Sequence, residues 1–246
     1  TFAAGVLMWL ISSGKFALHV PLLGHWRTNF PLWGKMFYIG VPSSIEGFAR
    51  NIAFLSLFWI LNQTEAGRMA VAGYTISVQI RMFGVMFGLA LMSAAMTAVS
   101  QNMGAGDTAR AEKSGWTITG ISTGVMTLMG LGSILLASPL IAFFTDSPDT
   151  IRWGVTSLVV LSISLPFVGL SMGCAGSLRG AGDTLSPLYA TLIFTTGVGP
   201  ALAYVLTVTM NLGPVGAWVG LAVSGALQAL MVAAIFKRGK WKSIEL

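Results

Sequence analysis

Six long apolar segments, separated by short polar stretches, run along most of the chain. They cover residues 36–61, 69–99, 116–141, 151–177, 187–210 and 215–236. A helix needs about 20 apolar residues to cross the hydrocarbon core of a bilayer, so each segment is long enough to span a membrane once. The pattern therefore predicts an all-α polytopic membrane protein built on a bundle of six transmembrane helices.

A shorter apolar stretch, residues 1–13, precedes these six segments. It is too short to span a bilayer, and no basic segment precedes it as a signal peptide would require. We interpret it as the truncated end of a preceding transmembrane helix. The predicted organisation continues with a cytoplasmic connector at 14–35, a six-helix transmembrane lobe at 36–236 and a basic cytoplasmic tail at 237–246.

Composition and charge agree with a membrane location. Hydrophobic residues make up 54% of the chain and charged residues only 9%, whereas about 25% is usual in soluble domains. Alternate loops differ sharply in their cations: one set carries only Arg68 and Arg152, and the other carries Lys15, Arg27, Lys35, Arg110, Lys113, Arg179, Lys237, Arg238, Lys240 and Lys242. Because short basic loops stay in the cytoplasm, the richer side is predicted to be cytoplasmic, together with the C-terminus.

The net charge of +6 therefore reflects membrane topology and attraction of the basic tail to anionic lipid, and it does not indicate nucleic-acid binding. Cys174 is the single cysteine, so neither a disulfide nor a CxxC metal site is expected. The apolar segments contain no nucleophile with a neighbouring base and no cluster of metal ligands. We expect no enzymatic activity, no metal and no cofactor.

The pentapeptide GAGDT occurs twice, at 104–108 and 180–184, each time between two apolar segments. Neither copy is a phosphate-binding loop, because no Lys follows it and no third Gly completes a dinucleotide fingerprint. Glycine adopts positive φ easily at the end of a helix, and Asp or Thr can cap the next helix. The repeat predicts two cytoplasmic helix-to-helix turns built from Gly104, Gly106, Asp107, Gly180, Gly182, Asp183 and Thr184.

Three ionisable residues, Glu46, Arg50 and Arg81, lie inside apolar segments. A charge at the bilayer centre costs about 2.5–3.5 kcal/mol on insertion scales and is rarely kept without use. Glu46 and Arg50 are four residues apart and could pair on one helix face. Arg50 lies about 21 Å past Met36 at 1.5 Å per residue, which predicts a position near the membrane centre.

No acid lies within one turn of Arg81, and Glu46 is the only carboxylate inside the apolar segments. The partner of Arg81 is therefore expected across helices. The candidate substrate and ion pathway comprises polar residues and apolar neighbours on the same helices: Glu46, Arg50, Asn51, Gln79, Arg81, Tyr74, Met82, Phe83 and Met86. The alternative interpretation is that the charges form interhelical structural pairs and that the methionines and aromatics serve packing.

Three motifs in order, GVPSSIEGFARN, QNMGAGDTARAE and GSLRGAGDTLSP, resemble the second lobe of the MATE (multidrug and toxic compound extrusion) family. In that family an L-R-G-x-G-D-T turn follows the tenth helix, and Arg179 occupies the arginine position of this motif. The resemblance implies two six-helix lobes around a central cavity. It implies that the N-terminal lobe, a partner of this one, is missing here.

The resemblance also implies a function: an antiporter, coupled to H⁺ or Na⁺, that exports amphipathic organic cations by alternating access. The sequence departs from branches that place a carboxylate in the tenth helix, since 158–180 contains none. A coupling acid in the missing lobe fits better. Two alternatives stay open: a lipid-linked oligosaccharide flippase of the same superfamily, which needs a more basic cavity, and a membrane assembly subunit that does not transport.

Overall fold

The structure is a computed structural model that describes residues 30–244. The predicted truncated helix at 1–13 and most of the predicted connector lie outside the described residues. The chain divides into two units, residues 1–38 and 39–246. The account of packing and of the candidate site below concerns the second unit.

The described residues form helices joined by short turns, and no strand occurs among them. The helices are α1 (Phe30–Asn62), α2 (Gly67–Gly104), α3 (Thr108–Leu135), α4 (Ala137–Ala142), α5 (Pro148–Ser162), α6 (Leu165–Gly180), α7 (Leu185–Thr209) and α8 (Pro214–Arg238). Five candidate spans come from α1, α2, α3, α7 and α8, and the bent pair α5–α6 supplies a sixth. The predicted bundle of six transmembrane helices is confirmed.

The fourth span is broken in its middle. Helices α5 and α6 meet at an angle of 48°, directly before Pro166, which has no N–H to donate and whose ring displaces the preceding turn. At the bend, the Oγ and the backbone N–H of Ser164 both donate to the carbonyl of Leu161, at 2.7 and 3.2 Å. The apolar pattern predicted one continuous segment here, since the residues on both sides of the bend are equally apolar.

Helix α7 is long enough to span a membrane, but some of its turns are π-helical instead of α-helical. Residues Thr191–Val198 and Val205–Thr209 form wide π turns, with α-helical Gly199–Tyr204 between them. Wide turns loosen the i→i−4 hydrogen-bond ladder, and one carbonyl here is bonded from outside: Ser224 of α8 donates to the carbonyl of Phe194 at 2.5 Å. Wide turns of this kind are often found at functional positions.

Helix α6 packs against α2 without intervening side chains. A Cβ atom added at Gly176 would lie 2.3 Å from the carbonyl oxygen of Met92, and one added at Gly180 would lie 2.4 Å from that of Met96. Such distances are shorter than any normal contact, so these positions accept only glycine. Small residues of this kind allow transmembrane helices to approach closely, and they bring the end of α6 against α2.

Both GAGDT copies form the predicted helix-to-helix turns. The central glycines have positive φ, 77° at Gly106 and 87° at Gly182. Asp107 and Asp183 each accept a hydrogen bond from the backbone N–H three residues later, at 2.8 and 2.9 Å. The aspartates are therefore the capping residues, whereas the hydroxyl of Thr184 is buried without a hydrogen-bond partner among the described residues.

The basic tail folds back onto the bundle. The buried ring of Trp241 stacks on Phe236 at a centroid distance of 5.1 Å, and its Nε1 donates to the carbonyl of Phe236 at 2.8 Å. Lys242 then pairs with Glu112 of α3 at 2.6 Å. Apolar burial, in addition to any attraction to lipid, fixes this end of the chain.

We expect Gly180→Ala to destabilise the bundle much more than Gly104→Ala, although both glycines open the same pentapeptide. A methyl group at Gly180 would overlap the backbone of Met96, whereas nothing lies within 4 Å of one at Gly104. Overpacking of this kind costs about 1–3 kcal/mol. Thermal unfolding of the two variants in detergent measures the difference, and equal melting temperatures would contradict the close contact between α6 and α2.

Candidate functional site

Glu46 of α1 is a buried carboxylate held by three donors. Its Oε1 accepts hydrogen bonds from Nη2 of Arg50 at 2.6 Å and from Oγ1 of Thr191 at 3.2 Å. Its Oε2 accepts from Nη2 of Arg179 at 2.5 Å. Only 3% of Glu46 is exposed. A carboxylate removed from water is stable when charged donors surround it in this way.

The donors come from three different helices. Arg50 lies one turn after Glu46 on α1, Arg179 lies in the last turn of α6, and Thr191 opens the first π turn of α7. Gln228 of α8 extends the network, since its Nε2 donates to Oγ1 of Thr191 at 3.0 Å. The network therefore connects α1, α6, α7 and α8 through one carboxylate.

The side chain of Arg179 is held between α1 and α2. One guanidinium nitrogen, Nη2, donates to Glu46, and Nη1 lies 3.4 Å from the sulfur of Met92. The Nε atom is buried and has no hydrogen-bond partner among the described residues. The close approach of Gly176 to the backbone of Met92 fixes the distance that this side chain has to bridge.

A cavity of about 360 Å³ opens beside this network. Its wall is largely apolar and is rich in methionine, with the charged residues and one amide among the lining groups. The lining residues are Glu46, Arg50, Val85, Leu89, Met92, Ser171, Met172, Ala175, Arg179, Pro187, Gln228 and Val232. Apolar walls with a few convergent polar groups are typical of small-molecule sites.

The network lies nearer to the GAGDT turns than to the opposite ends of the helices. The candidate span in α1 begins at Gly40, which places Glu46 about 9 Å and Arg50 about 15 Å inside it at 1.5 Å per residue. The expectation of about 21 Å for Arg50 started from Met36, four residues earlier. Glu46 therefore lies in the part of the span closer to the turns.

The structure does not bring Arg81 to Glu46. Both oxygens of Glu46 are occupied by other donors, and the Nε of Arg81 is buried without a hydrogen-bond partner among the described residues. Arg81 lies one turn before Val85 on α2 and therefore on the helix face that lines the cavity with Val85 and Leu89. Arg81 itself is not among the residues that line the cavity, and no carboxylate pairs with it in the described part of the chain.

The other candidate residues are not gathered around the cavity. Those exposed on the surface of this lobe are Asn51, Gln79, Met82, Phe83 and Met86. Asn51 donates to the carbonyl of Gly47 in its own helix at 3.1 Å. Tyr74 is buried in the core, with its ring 5.9 Å from that of Phe58 in an edge-to-face arrangement. None of these six candidate residues lines the cavity beside Glu46.

Sequence reasoning missed three members of the network. Arg179 was counted with the loop cations, because a residue in the last turn of a helix cannot be distinguished from a loop residue by hydropathy. Thr191 resembles the other hydroxyl residues of an apolar helix. Gln228 did carry a signal, since it is the only amide in the apolar segment 215–236, and an isolated amide in a bilayer needs a partner.

Comparison with known proteins fits this arrangement of helices and motifs. The MatE family profile matches residues 42–205. The chain belongs to the MatE family. It is 27% identical over 218 residues to a probable multidrug resistance protein NorM from Brucella suis, covering 87% of this chain and 46% of that protein. It is 26% identical over 246 residues to a probable NorM from Thermotoga maritima, covering 97% and 51%.

Solved structures show the same fold. The chain superimposes on an outward-facing multidrug resistance MATE family transporter with a TM-score of 0.86 at 18% identity, covering 96% of this chain and 52% of the other. A MOP superfamily transporter from Pyrococcus furiosus gives 0.86 at 20%, covering 96% and 52%. This MatE-family chain is thus an integral multi-pass membrane protein, and it spans about half the length of the curated relatives it matches.

We expect Glu46→Gln to destabilise this MatE-family lobe strongly, because it leaves the two guanidinium groups of Arg50 and Arg179 without a counter-charge. Removing one partner of a buried ion pair typically costs about 3–5 kcal/mol. Glu112→Gln is the matched control, since the Glu112–Lys242 pair is about one-third exposed and such pairs contribute about 0–1 kcal/mol. Thermal unfolding in detergent compares them; similar small effects would contradict a structural role for the Glu46 network.

Proposed function

We propose that this chain forms the second lobe of a multidrug efflux antiporter that works by alternating access. The observation that carries the proposal is the cavity beside Glu46, whose charged network joins four helices of a MatE-family lobe. Relatives covered to about half their length bear the name multidrug resistance protein NorM. A missing N-terminal lobe would supply the other wall of the transport pathway.

The geometry suits a lobe that moves as a body. Close packing of α6 against α2 makes the bundle stiff, while the turns at Gly106 and Gly182 join long helices through single positive-φ residues. Secondary transporters exchange access by rocking one such bundle against another around a fixed site. We place the GAGDT turns and the basic C-terminus in the cytoplasm, with the protein in the inner membrane of a bacterium.

Coupling to H⁺ or Na⁺ would use a carboxylate outside this lobe. Both oxygens of Glu46 are engaged by arginine donors, so an incoming cation would have to displace a guanidinium group. Helix α6 contains no carboxylate. This donor geometry supports the expectation that the coupling acid belongs to the missing lobe. That the exported drugs are organic cations stays a prediction about the whole protein.

The full-length protein tests the proposal in everted membrane vesicles, whose outward cytoplasmic face lets an exporter take up a fluorescent amphipathic dye added to the medium. We expect dye transport that requires a proton or sodium gradient, because alternating access needs an ion flux to drive it uphill. Vesicles without the protein provide the background. Transport that continues unchanged after both gradients have been collapsed would contradict an antiport mechanism.

Arg81→Ala should lower dye transport several-fold while leaving membrane insertion normal. Arg81 has no ion pair to lose among the described residues, and it lies one turn before Val85, which lines the cavity, on the same helix, so we expect its charge to be available to the pathway. The exposed Arg68, at the opposite end of the bundle from the GAGDT turns, gives the matched control Arg68→Ala. Normal transport by Arg81→Ala, at equal protein in the membrane, would return Arg81 to a packing role.

A further inference from the structure

The cavity beside Glu46 carries more positive than negative charge. Its lining includes one carboxylate, Glu46, and two guanidinium groups, Arg50 and Arg179, and the other residues of its wall are uncharged. The formal charge of this wall is therefore +1. An uncompensated cation in a membrane interior is costly and is seldom retained without a role.

The hydrogen-bond donors also exceed the acceptors. Glu46 already accepts two hydrogen bonds at Oε1 and one at Oε2. Each guanidinium carries five N–H donors, and the Nε of Arg179 has no partner among the described residues. The side chain of Arg50 is 54% exposed and uses one nitrogen to reach Glu46. What the site lacks is an acceptor, and an anionic group supplies it.

The rest of the wall suits an apolar body. Val85, Leu89 and Val232 provide aliphatic surface, and the thioethers of Met92 and Met172 adapt to irregular shapes. The volume of about 360 Å³ lies within the roughly 300–1,000 Å³ of small-molecule pockets. The complementary ligand is therefore amphipathic, with an apolar body and one negatively charged end.

We propose that this cavity binds the anionic group of an amphipathic molecule, a carboxylate or a phosphate, with Arg50 as its principal contact. Arginine forms paired hydrogen bonds with both groups through its planar fork of donors. Arg179 supplies the second positive charge while Glu46 keeps it in place. The inference rests on the proposed transport function and narrows its substrate class to amphipathic molecules that carry an anionic group, so that an organic cation qualifies only as a zwitterion.

The test measures binding to the purified full-length transporter with three matched probes: 1-naphthylacetate, its uncharged amide 1-naphthylacetamide, and 1-naphthyl phosphate. We expect at least one anion to bind 10-fold or more tightly than the amide. A tighter carboxylate assigns a carboxylate ligand, and a tighter phosphate assigns a phosphate headgroup. Equal affinity for all three probes overturns the proposal.

Variants of Arg50 connect this preference to the cavity. Arg50→Gln should remove the preference for the anion, Arg50→Lys should keep part of it because the charge remains, and Arg68→Gln, which changes an exposed arginine outside the cavity, should keep all of it. A preference that survives in Arg50→Gln contradicts the site. Dye transport by the same preparations separates the two proposals: transport without an anion preference overturns only this inference, and a preference without transport overturns only the antiporter.

Discussion

The contact between Glu46 and the guanidinium groups of Arg50 and Arg179 is the interaction on which the arrangement of this lobe depends. It is a charged contact with a nearly inaccessible carboxylate, and a buried ion needs its partners. Because the partners belong to α1 and α6, and Thr191 and Gln228 add α7 and α8, the carboxylate fixes how these helices meet. The cavity lies beside this network.

Backbone packing makes that contact geometrically feasible. The glycines of α6 let its backbone approach α2, so that the long side chain of Arg179 passes Met92 and still reaches α1. The bend before Pro166 changes the direction of the chain within this span. Thr191, the first residue of the wide turns of α7, donates to Glu46. The charged site therefore lies between two irregular elements, the bent pair α5–α6 and the π-helical turns of α7.

The charge of the cavity decides whether this lobe is better suited to bind a cation or an anion. A free carboxylate would attract cations, whereas a carboxylate already shared between two arginines leaves the wall positive. In this lobe both oxygens of the acid are engaged by arginines. In the transporter that we propose, coupling by a small cation and contact with an anionic substrate group would lie in different lobes and would not compete for the same carboxylate.

The amino-acid sequence by itself determined the class of the protein, its six spans, the two GAGDT turns and the family, because length, apolarity and local turn chemistry are properties of contiguous residues. It also placed Glu46 and Arg50 on one helix face, since residues four apart in an α-helix lie on the same face. Only the tertiary structure decided that Arg179 completes the site, that Arg81 does not pair with Glu46, and that Tyr74 is a core residue. The contacts of the site join residues up to 145 positions apart, and they depend on close backbone approaches and on bends that hydropathy does not register.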